Sequence, residues 1–557
     1  MYKYRSFFKI ACIGVCLCMI MMLNVSCSCN KEITKPVPTN MLKTDDLKPA
    51  YGDILIEGTI ADAQTLNPLL STDTASGDVI GLIFNGLIKY DENLDSVGDL
   101  AEKWEVTENG FKFYLRKNVK WHDGEKFDAD DVVYTYKLMM NPLVKYQYRS
   151  YYKYVKSVKK LDEYLVEVEY TKKTANSLLI WGTEILPEHI LKNEKDVNNC
   201  TFNKKPIGTG PFKLKSWLEG DRIELESNKD YFEGQPYLSR YMFRVIPNKS
   251  VMFLCLQKGE IDFMYLKPDQ FRKQSQNEGF KSTFNLFSYA DFNYSYMGFN
   301  LNNPIFKDKK IREAISMAIN RKEIIEGVIF GLGKVCTGPF PPISWAYDQT
   351  YKPPEYNLEN AKKLLLNDGW KDGDNDGILE KDLNNDGNDE ILKFELLTNN
   401  GNRSRELTAT IIQDQLRKIG IKVVTRFLEW NTLNRDFIDT GNFEAVILGW
   451  ELSKDPAFIN NIWESGSINE GNNFVSFNNS EVDKLLEEGT VTLDKEKRKI
   501  IYRKMHRLIA QEYPYVFLYS KNSLVAINKR FHGVKISAAG IKHNLIKWYV
   551  PKKLQKY

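Results

Sequence analysis

The sequence has few histidines and none of the common catalytic sequence motifs. Only five of its 557 residues are histidine, at positions 122, 189, 506, 532 and 543, and they lie far apart along the chain. There is no Gly-x-Ser-x-Gly turn, no His-Glu-x-x-His helix and no glycine-rich phosphate loop ending in Lys-Ser/Thr. We therefore interpret the histidines as surface or capping residues, and we predict no catalytic residue and no enzymatic activity.

Excess charge, cysteine pairs and long apolar runs are also scarce. The chain has 77 basic and 73 acidic side chains, and three of the bases fall within its first ten residues, so no nucleic-acid partner is expected. A single long apolar run, at residues 10–23, excludes a protein with several membrane spans. The cysteines beyond residue 30 have no ligand-like spacing, which predicts free thiols.

The N terminus has the features of a secretory signal. A basic start and the apolar run at 10–23 are followed by small or polar residues before Cys27. This order resembles bacterial lipoprotein signals, which predicts a signal peptide at 1–26 and lipidation of Cys27. Asn24 stands where such signals usually have Leu, so Cys29 remains an alternative acceptor, and an uncleaved anchor is the other possibility.

Residues 27–50 are predicted to be a flexible tether. Lys, Thr, Pro, Asn and Asp predominate there, with scattered apolar residues. A lipid at one end of this tether and a folded body at the other would place the protein on the extracytoplasmic face of the bacterial cell membrane.

The body alternates short strands with amphipathic helices. Apolar residues at every second position predict a strand at 111–115 and a hairpin at 214–226. Helical spacing predicts helices at 128–140, 308–327 and 407–419, the last leading into a strand at 421–427. This alternation indicates an α/β protein.

A series of short motifs then identifies a family. The chain contains LAEKW at 100–104, VKWHDG at 119–124, PIGTGPF at 206–212, GEID at 259–262, FN at 299–300 and IREA at 311–314. KIGI at 418–421, GW at 449–450, DP at 455–456 and EYPY at 512–515 follow. In this order the motifs resemble family 5 extracellular solute-binding proteins, the binding lipoproteins of oligopeptide and dipeptide ABC importers. The resemblance covers nearly all of residues 51–550.

The resemblance implies a two-lobed clamshell of the large peptide-binding class (type II), similar to periplasmic binding proteins, with an extra inserted domain. Transferred to this chain, lobe I would comprise 51–83, 207–297 and 528–557, the inserted domain 84–206, and lobe II 298–527. The chain would cross between the lobes near 297–301 and 524–528, and these crossings would form the hinge.

The same resemblance implies a function. It predicts a monomeric receptor that captures an oligopeptide, or a related small solute, by hinge closure and delivers it to an ABC transporter permease, with no cofactor required. Abundant carboxylates and aromatics leave one alternative, a secreted, surface-anchored protein that binds or hydrolyses carbohydrate.

Candidate ligand-binding residues follow the Gly-Trp pair at 449–450. Peptide-binding relatives hold the ligand amine with an Asp shortly after this pair, but Leu452 stands at that place here. The hypothesis is that Asp455 or Glu451 replaces it, with Trp450 packing along the ligand. Alternatively, Asp455 only caps the helix that begins at Pro456.

Two arginines and an acidic loop complete the candidates. Arg403 and Arg405, placed before the predicted helix at 407, could hold a ligand carboxylate by two-pronged contacts, or could be surface residues. Asp372, Asp374 and Asp376, followed by glycine, form the front half of a calcium loop, which Glu380 and Asp382 could close. A second such sequence occupies 382–387. The loop is either a weak structural Ca²⁺ site or a plain surface turn.

Overall fold

The computed structural model describes residues 44–383, 385–468 and 471–557. The predicted signal peptide, Cys27, Cys29 and most of the predicted tether lie outside these residues. A short 3₁₀ helix, Thr44–Leu47, belongs to a first unit that ends at Lys48. Residues 49–557 form a second unit, which contains all the structure described below.

Twenty strands occur in the described part of the chain. The first ten are β1 Ile54–Thr59, β2 Ile88–Tyr90, β3 Ser96–Gly98, β4 Ala101–Val106, β5 Gly110–Leu115, β6 Val155–Asp162, β7 Leu165–Tyr170, β8 Phe212–Leu218, β9 Arg222–Ser227 and β10 Arg240–Val245. The others are β11 Phe263–Tyr265, β12 Phe284–Ala290, β13 Asn293–Phe299, β14 Gly333–Val335, β15 Glu380–Lys381, β16 Glu390–Ile391, β17 Lys393–Asn399, β18 Lys422–Leu428, β19 Ala445–Glu451 and β20 Tyr515–Asn528.

Helices alternate with these strands. The α-helices are Thr74–Ile83, Ala129–Met140, Glu188–Leu191, Lys249–Gln257, Pro268–Arg272, Glu278–Thr283, Pro304–Lys307, Lys309–Ala318, Arg321–Ile329, Leu358–Asn367, Arg403–Arg417, Trp430–Thr432, Asn460–Trp463, Ser480–Val491 and Lys495–Glu512. The structure confirms three predicted elements: the strand at 111–115, the hairpin at 214–226 and the helix at 128–140.

One long strand, β20, joins the two halves of the main sheet. Its first residues pair with β13, and its later residues pair with β11 and β12. The sheet continues from β13 through β19 and β17 to β18, and from β11 through β1, β10 and β9 to β8. Parallel and antiparallel pairs are mixed, as in an α/β protein.

Both faces of each half of the sheet are buried. Along β1, Leu55 belongs to one core and its neighbours Ile54 and Ile56 to the opposite core, because successive side chains of a strand point to opposite faces. Along β19, Ile447 and Leu448 are divided in the same way between two other cores. The sheet is therefore a central layer covered by helices on both sides.

The chain between residues 84 and 206 adds a second sheet. Strands β4, β5, β7 and β6 form it in that order, and Phe113, Val166 and Val168 lie in the same hydrophobic core as Leu55. This region therefore packs as a continuation of the half that contains β1. In the described residues, no helix has the length and apolar character needed to span a bilayer.

Three sequence-based expectations differ from the structure. The predicted helix at 308–327 is two helices, since Ile319 is extended and the Asn320 side chain accepts a hydrogen bond from the Glu323 amide, capping the second. The helix predicted from 407 begins at Arg403. The passages between the halves of the sheet lie at 290–293 and 519–522, earlier than expected, because β13 already pairs with β19 from Asn293.

Candidate functional site

A cavity of about 820 Å³ lies between the region of residues 84–206 and the segment that follows β19. Its volume is in the range of small-ligand sites in proteins. Ser453, Lys454 and Phe458 line one side. Six tyrosines line the other parts: Tyr90, Tyr146, Tyr148, Tyr151, Tyr152 and Tyr231. The cavity is therefore bounded by both halves of the molecule.

Contacts across the cavity hold its two sides together. Lys454 donates from Nζ to the Ala539 carbonyl at 3.2 Å, and the Phe458 ring meets Tyr151 edge-on with centroids 5.2 Å apart. Nearby, the Ala175 amide donates to the Thr490 carbonyl at 2.6 Å. Each of these three contacts is a single hydrogen bond or an edge-on ring contact, so the two sides touch without sharing a large hydrophobic core.

Two lysines beside the cavity form ion pairs with acidic residues of the protein. Lys89 Nζ lies 2.6 Å from Glu233 and 3.3 Å from Asp99, and burial raises the pKa of Asp99. Lys542 Nζ lies 2.7 Å from Glu57, whose pKa is also raised by burial. These pairs neutralise much of the charge on the cavity wall.

Two other charged residues on the wall are less compensated. Burial raises the pKa of Glu184 and lowers the pKa of Lys454, because the protein around them replaces part of their hydration. Both residues line the cavity. They are the charged groups most available to a bound ligand.

Trp450 lies near the end of β19, beside the buried aromatic cluster. Its ring is nearly parallel to Tyr296 with centroids 6.3 Å apart, and its Nε1 donates to the Tyr515 hydroxyl at 3.4 Å. It does not line the 820 Å³ cavity. Its predicted packing against a ligand would therefore use the half-exposed side of the ring.

Glu451 ends β19 and reaches solvent. Its side chain is 71% exposed, and its only described ion pair is a 3.6 Å contact with Lys521. Nevertheless, desolvation by the protein around it raises the pKa of the carboxyl, and Lys521 opposes the rise. The carboxyl is accessible to solvent, and its role as the anchor of a ligand amine stays a prediction.

Asp455 faces the protein instead of open space. Its carboxylate pairs with Arg498, and it accepts a hydrogen bond from the Ala457 amide at 2.8 Å. It therefore caps the 3₁₀ helix Pro456–Phe458, which is the alternative that the sequence left open. Its predicted ligand role would compete with both contacts.

The two candidate arginines differ in position. Both lie in the helix Arg403–Arg417 and not before it, because Asn402 caps the helix by accepting from the Arg405 amide. Arg403 is 77% exposed and contacts Glu406. Arg405 is half-buried, and its Nη1 donates to Asn399 Oδ1 at 2.7 Å.

Arg405, Trp450 and Glu451 are brought together at the end of β19. A side chain added at Gly449 would approach Arg405 Nη2 to 3.6 Å, and the charge of Glu451 acts on Arg405, whose pKa is lowered by burial. Arg403 and Asp455 do not join this group. The predicted set is therefore divided between a group at the end of β19, a buried ion pair and the outer surface.

The acidic loop forms only in part as predicted. Oxygen atoms of Asp372, Asp374 and Asp376 lie within 4.8 Å of one another, and among the described residues no other acid completes the group. Glu380 accepts from the Gly373 amide at 2.7 Å, and Asp382 accepts from the Gly387 amide at 2.9 Å. Both acids stabilise local turns, so the loop-closing role predicted for them is not seen.

The main cavity residues were missed by sequence reasoning. The one signal was the run of tyrosines at 146, 148, 151 and 152, which is dense for a segment between a helix and a strand. Glu184 gives no signal in the sequence, since only folding brings it beside these rings. His506, interpreted as a surface or capping residue, is instead fully buried among aromatic side chains.

Comparisons with known proteins cover most of the chain. The model of bacterial extracellular solute-binding proteins, family 5 (middle) matches residues 95–470. The oligopeptide-binding protein AppA of Bacillus subtilis (strain 168) is 36% identical over 515 residues, which are 91% of this chain and 93% of AppA. The dipeptide-binding protein of Escherichia coli (strain K12) is 26% identical, covering 86% of this chain and 91% of that protein.

Solved structures show the same similarity. The structure of Bacillus subtilis AppA in complex with a nonapeptide aligns with a TM-score of 0.75, covering 91% of this chain and all of that chain. The structure of NikZ from Campylobacter jejuni in complex with Ni(L-His) also aligns with a TM-score of 0.75, at 28% identity and 89% coverage of this chain. The fold is thus the two-lobed fold of these binding proteins.

Proposed function

Because this chain belongs to the bacterial extracellular solute-binding proteins of family 5, we propose that it captures oligopeptides and delivers them to the permease of an ABC importer. The observation that carries the proposal is the 820 Å³ cavity between the two halves of the molecule, in a chain that is 36% identical to AppA. AppA has been solved with a nonapeptide bound.

Members of this family are binding proteins and not enzymes, which agrees with the scarcity of catalytic motifs. The alternative of a protein that binds or hydrolyses carbohydrate gains no support from the relatives, which bind peptides, heme or nickel complexes according to their names. Peptide capture therefore remains the function best supported.

The chemistry of the cleft suits peptides. A binder of varied peptides has to recognise backbone amides and charged termini, while roomy pockets accept different side chains. The segment after β19 brings Ser453 and Lys454 to the cavity, so it offers a hydroxyl and a positive charge to a ligand. Micromolar binding needs about 8 kcal/mol, of which one or two charge-assisted hydrogen bonds at about 1.5 to 3 kcal/mol each would be a large share.

Capture would proceed by closure of two lobes. We keep the order of segments expected from the sequence, with the inserted domain at 84–206, but move the boundaries between the lobes, and with them the hinge, to the passages 290–293 and 519–522. The single polar contacts that join the two sides would form on closure and break on release. Small-angle scattering tests this, since addition of a bound peptide should lower the radius of gyration; identical profiles would exclude closure.

A lipid on Cys27 would hold the receptor at the extracytoplasmic face of the membrane, as a monomer on a flexible tether. Intact-mass analysis of protein from the native membrane should show a lipid-modified N-terminal cysteine. Cys27→Ser should abolish the modification and Cys29→Ser should preserve it. The reverse result would assign the lipid to Cys29, and no modification in either would support an uncleaved anchor.

The function itself is tested by the ligand that the protein retains. Mass spectrometry of small molecules released on denaturation of the purified protein should detect peptides. Calorimetry should then give one-to-one binding, with the peptide recovered intact. Recovery of sugars or of cleaved products would contradict the proposal.

A further inference from the structure

Three tyrosines form an aromatic wall on one side of the cavity. Tyr146, Tyr148 and Tyr151 lie between the helix Ala129–Met140 and β6. The rings of Tyr146 and Tyr148 have centroids 5.9 Å apart, and those of Tyr148 and Tyr151 are stacked at 5.8 Å. Phe458, from the opposite side of the cavity, meets the edge of this wall at Tyr151.

Glu184 lines the same cavity and is an acid without an ion pair among the described residues. It follows the 3₁₀ helix Leu179–Gly182. Within residues 44–383, 385–468 and 471–557, no cationic side chain lies at ion-pair distance from its carboxylate. The other two glutamates beside the cavity are both satisfied, Glu233 by Lys89 and Glu57 by Lys542. Glu184 therefore differs from these two glutamates in lacking a cationic partner among the described residues, although its own backbone amide donates to it.

The carboxylate and the aromatic wall act on each other. Burial raises the pKa of Tyr146 to about 12, and the negative charge of Glu184 adds to that rise. An enclosed carboxylate without a cation is costly, since it loses hydration and gains no ion pair. A cation bound in the cavity that Glu184 and the three rings all line would be stabilised by the carboxylate and by the rings, because aromatic faces attract positive charge.

We infer that Glu184, with Tyr146, Tyr148 and Tyr151, forms a subsite for a cationic group of the ligand, an ammonium or a guanidinium. The inference rests on the proposed function, since it assigns a specificity to the same cavity. The cation could be the α-ammonium of a peptide or the side chain of a lysine or arginine. The two sources share one chemistry and are separated by the experiment.

The test uses a defined set of nonapeptides of Gly and Ala with one variable central residue, which is Lys, norleucine or Glu. Each is made with a free and with an acetylated N terminus. The wild-type protein is mixed with the equimolar set, and bound peptides are quantified by mass spectrometry; dissociation constants follow by calorimetry. The variant is Glu184→Gln. The matched control is Glu188→Gln, the same change four residues later and outside the cavity.

The wild type should prefer Lys over norleucine, or a free over an acetylated N terminus, by roughly tenfold to a hundredfold, as expected for a charge-assisted hydrogen bond. Glu184→Gln should lose that preference, and Glu188→Gln should keep it. Loss of the lysine preference identifies a side-chain cation, and loss of the N-terminal preference identifies the α-ammonium; either supports the subsite.

Two other outcomes overturn it. Peptides bound without either preference, or a Glu184→Gln variant that keeps every preference the wild type shows, would exclude the subsite and leave peptide capture intact. No binding of any peptide would overturn the proposed function as well. If Glu184→Gln does not fold, Tyr148→Leu gives a second test, since this ring is 44% exposed. It should weaken the preference by roughly twofold to tenfold, and an unchanged preference would again exclude the subsite.

Discussion

The carboxylate of Asp455 and the guanidinium of Arg498 form a two-pronged, buried ion pair. Arg498 Nη2 lies 2.5 Å from Oδ1 and Nη1 lies 3.3 Å from Oδ2, and the side chains are only 6% and 12% exposed for Arg498 and Asp455. The pair joins the start of the helix Lys495–Glu512 to the segment that follows β19. Asp455 therefore positions the segment that carries Lys454 and Phe458 to the cavity.

Asp455→Asn should lower stability more than affinity. Removing one partner of a buried pair leaves the other charge uncompensated, which costs about 3 kcal/mol of unfolding free energy. Urea unfolding measures this loss, and calorimetry with a bound peptide measures affinity. A matched control is Asp95→Asn, whose exposed 2.7 Å pair with Lys495 should contribute less than about 1 kcal/mol. Unchanged stability with a large loss of affinity would make Asp455 the ligand anchor.

Glu451→Gln should weaken the binding of peptides with a free N terminus. The carboxylate is exposed and its ion pair with Lys521 among the described residues is long, so it can exchange that contact for a ligand amine. We expect about a tenfold rise in the dissociation constant for free peptides and little change for acetylated ones. Glu481→Gln, in an exposed pair with Lys504, serves as the control. Equal affinities before and after the change would place the amine anchor elsewhere.

Local patterns predicted the elements better than the breaks between them. Alternation along Phe111, Phe113 and Leu115 gave the strand correctly, because a half-buried strand imposes a period of two on its own residues. The helical periodicity of residues 308–327 does not reveal the interruption at Ile319. Its apolar residues continue on one face, and the break depends on the cap made by Asn320.

The candidate site was predicted less completely, since its contacts link residues far apart in the chain. Asp455 could be recognised as a cap from the proline that follows it, but its partner Arg498 lies 43 residues later. Glu184 and Tyr146 meet at the cavity only through the fold. The family resemblance supplied the architecture and the segment after Gly449, and the structure supplied the side chains that face the cavity.

We predict that the acidic loop binds calcium weakly, through Asp372, Asp374 and Asp376. Calcium at ten times its dissociation constant would add about 1.4 kcal/mol to the unfolding free energy, and the melting temperature would rise accordingly. Calorimetric and thermal titration of chelator-treated protein measures this, with magnesium as the comparison ion. Asp374→Asn should abolish the shift. No heat and no thermal shift at millimolar calcium would identify the loop as a surface turn.

His506 should make the protein sensitive to acid. Its ring is fully buried between Phe340 and Tyr347, Nε2 lies 3.1 Å from Thr337 Oγ1, and Nδ1 has no hydrogen-bond partner among the described residues. Burial lowers the pKa of His506 to about 3, from 6.5, although the charge of Asp348 opposes the shift. The unfolded chain therefore binds a proton near pH 6.5 that the folded protein accepts only near pH 3.

The stability linked to this histidine is complete above pH 6.5 and is lost as the pH falls toward 3, because the unfolded state then binds more protons. Through this histidine, the unfolding free energy of the wild-type protein should decrease by up to about 1.4 kcal/mol per pH unit in that range. Other titrating groups add their own contributions. His506→Gln removes the contribution of this histidine to the pH dependence. The variant should be less stable than the wild type at pH 7 because its packing is altered. Its unfolding free energy, measured with urea, should fall less steeply as the pH is lowered. The other groups, including His122, are the same in both proteins and cancel in the difference. Parallel curves from pH 7 to pH 4 would show that protonation of His506 does not control acid stability.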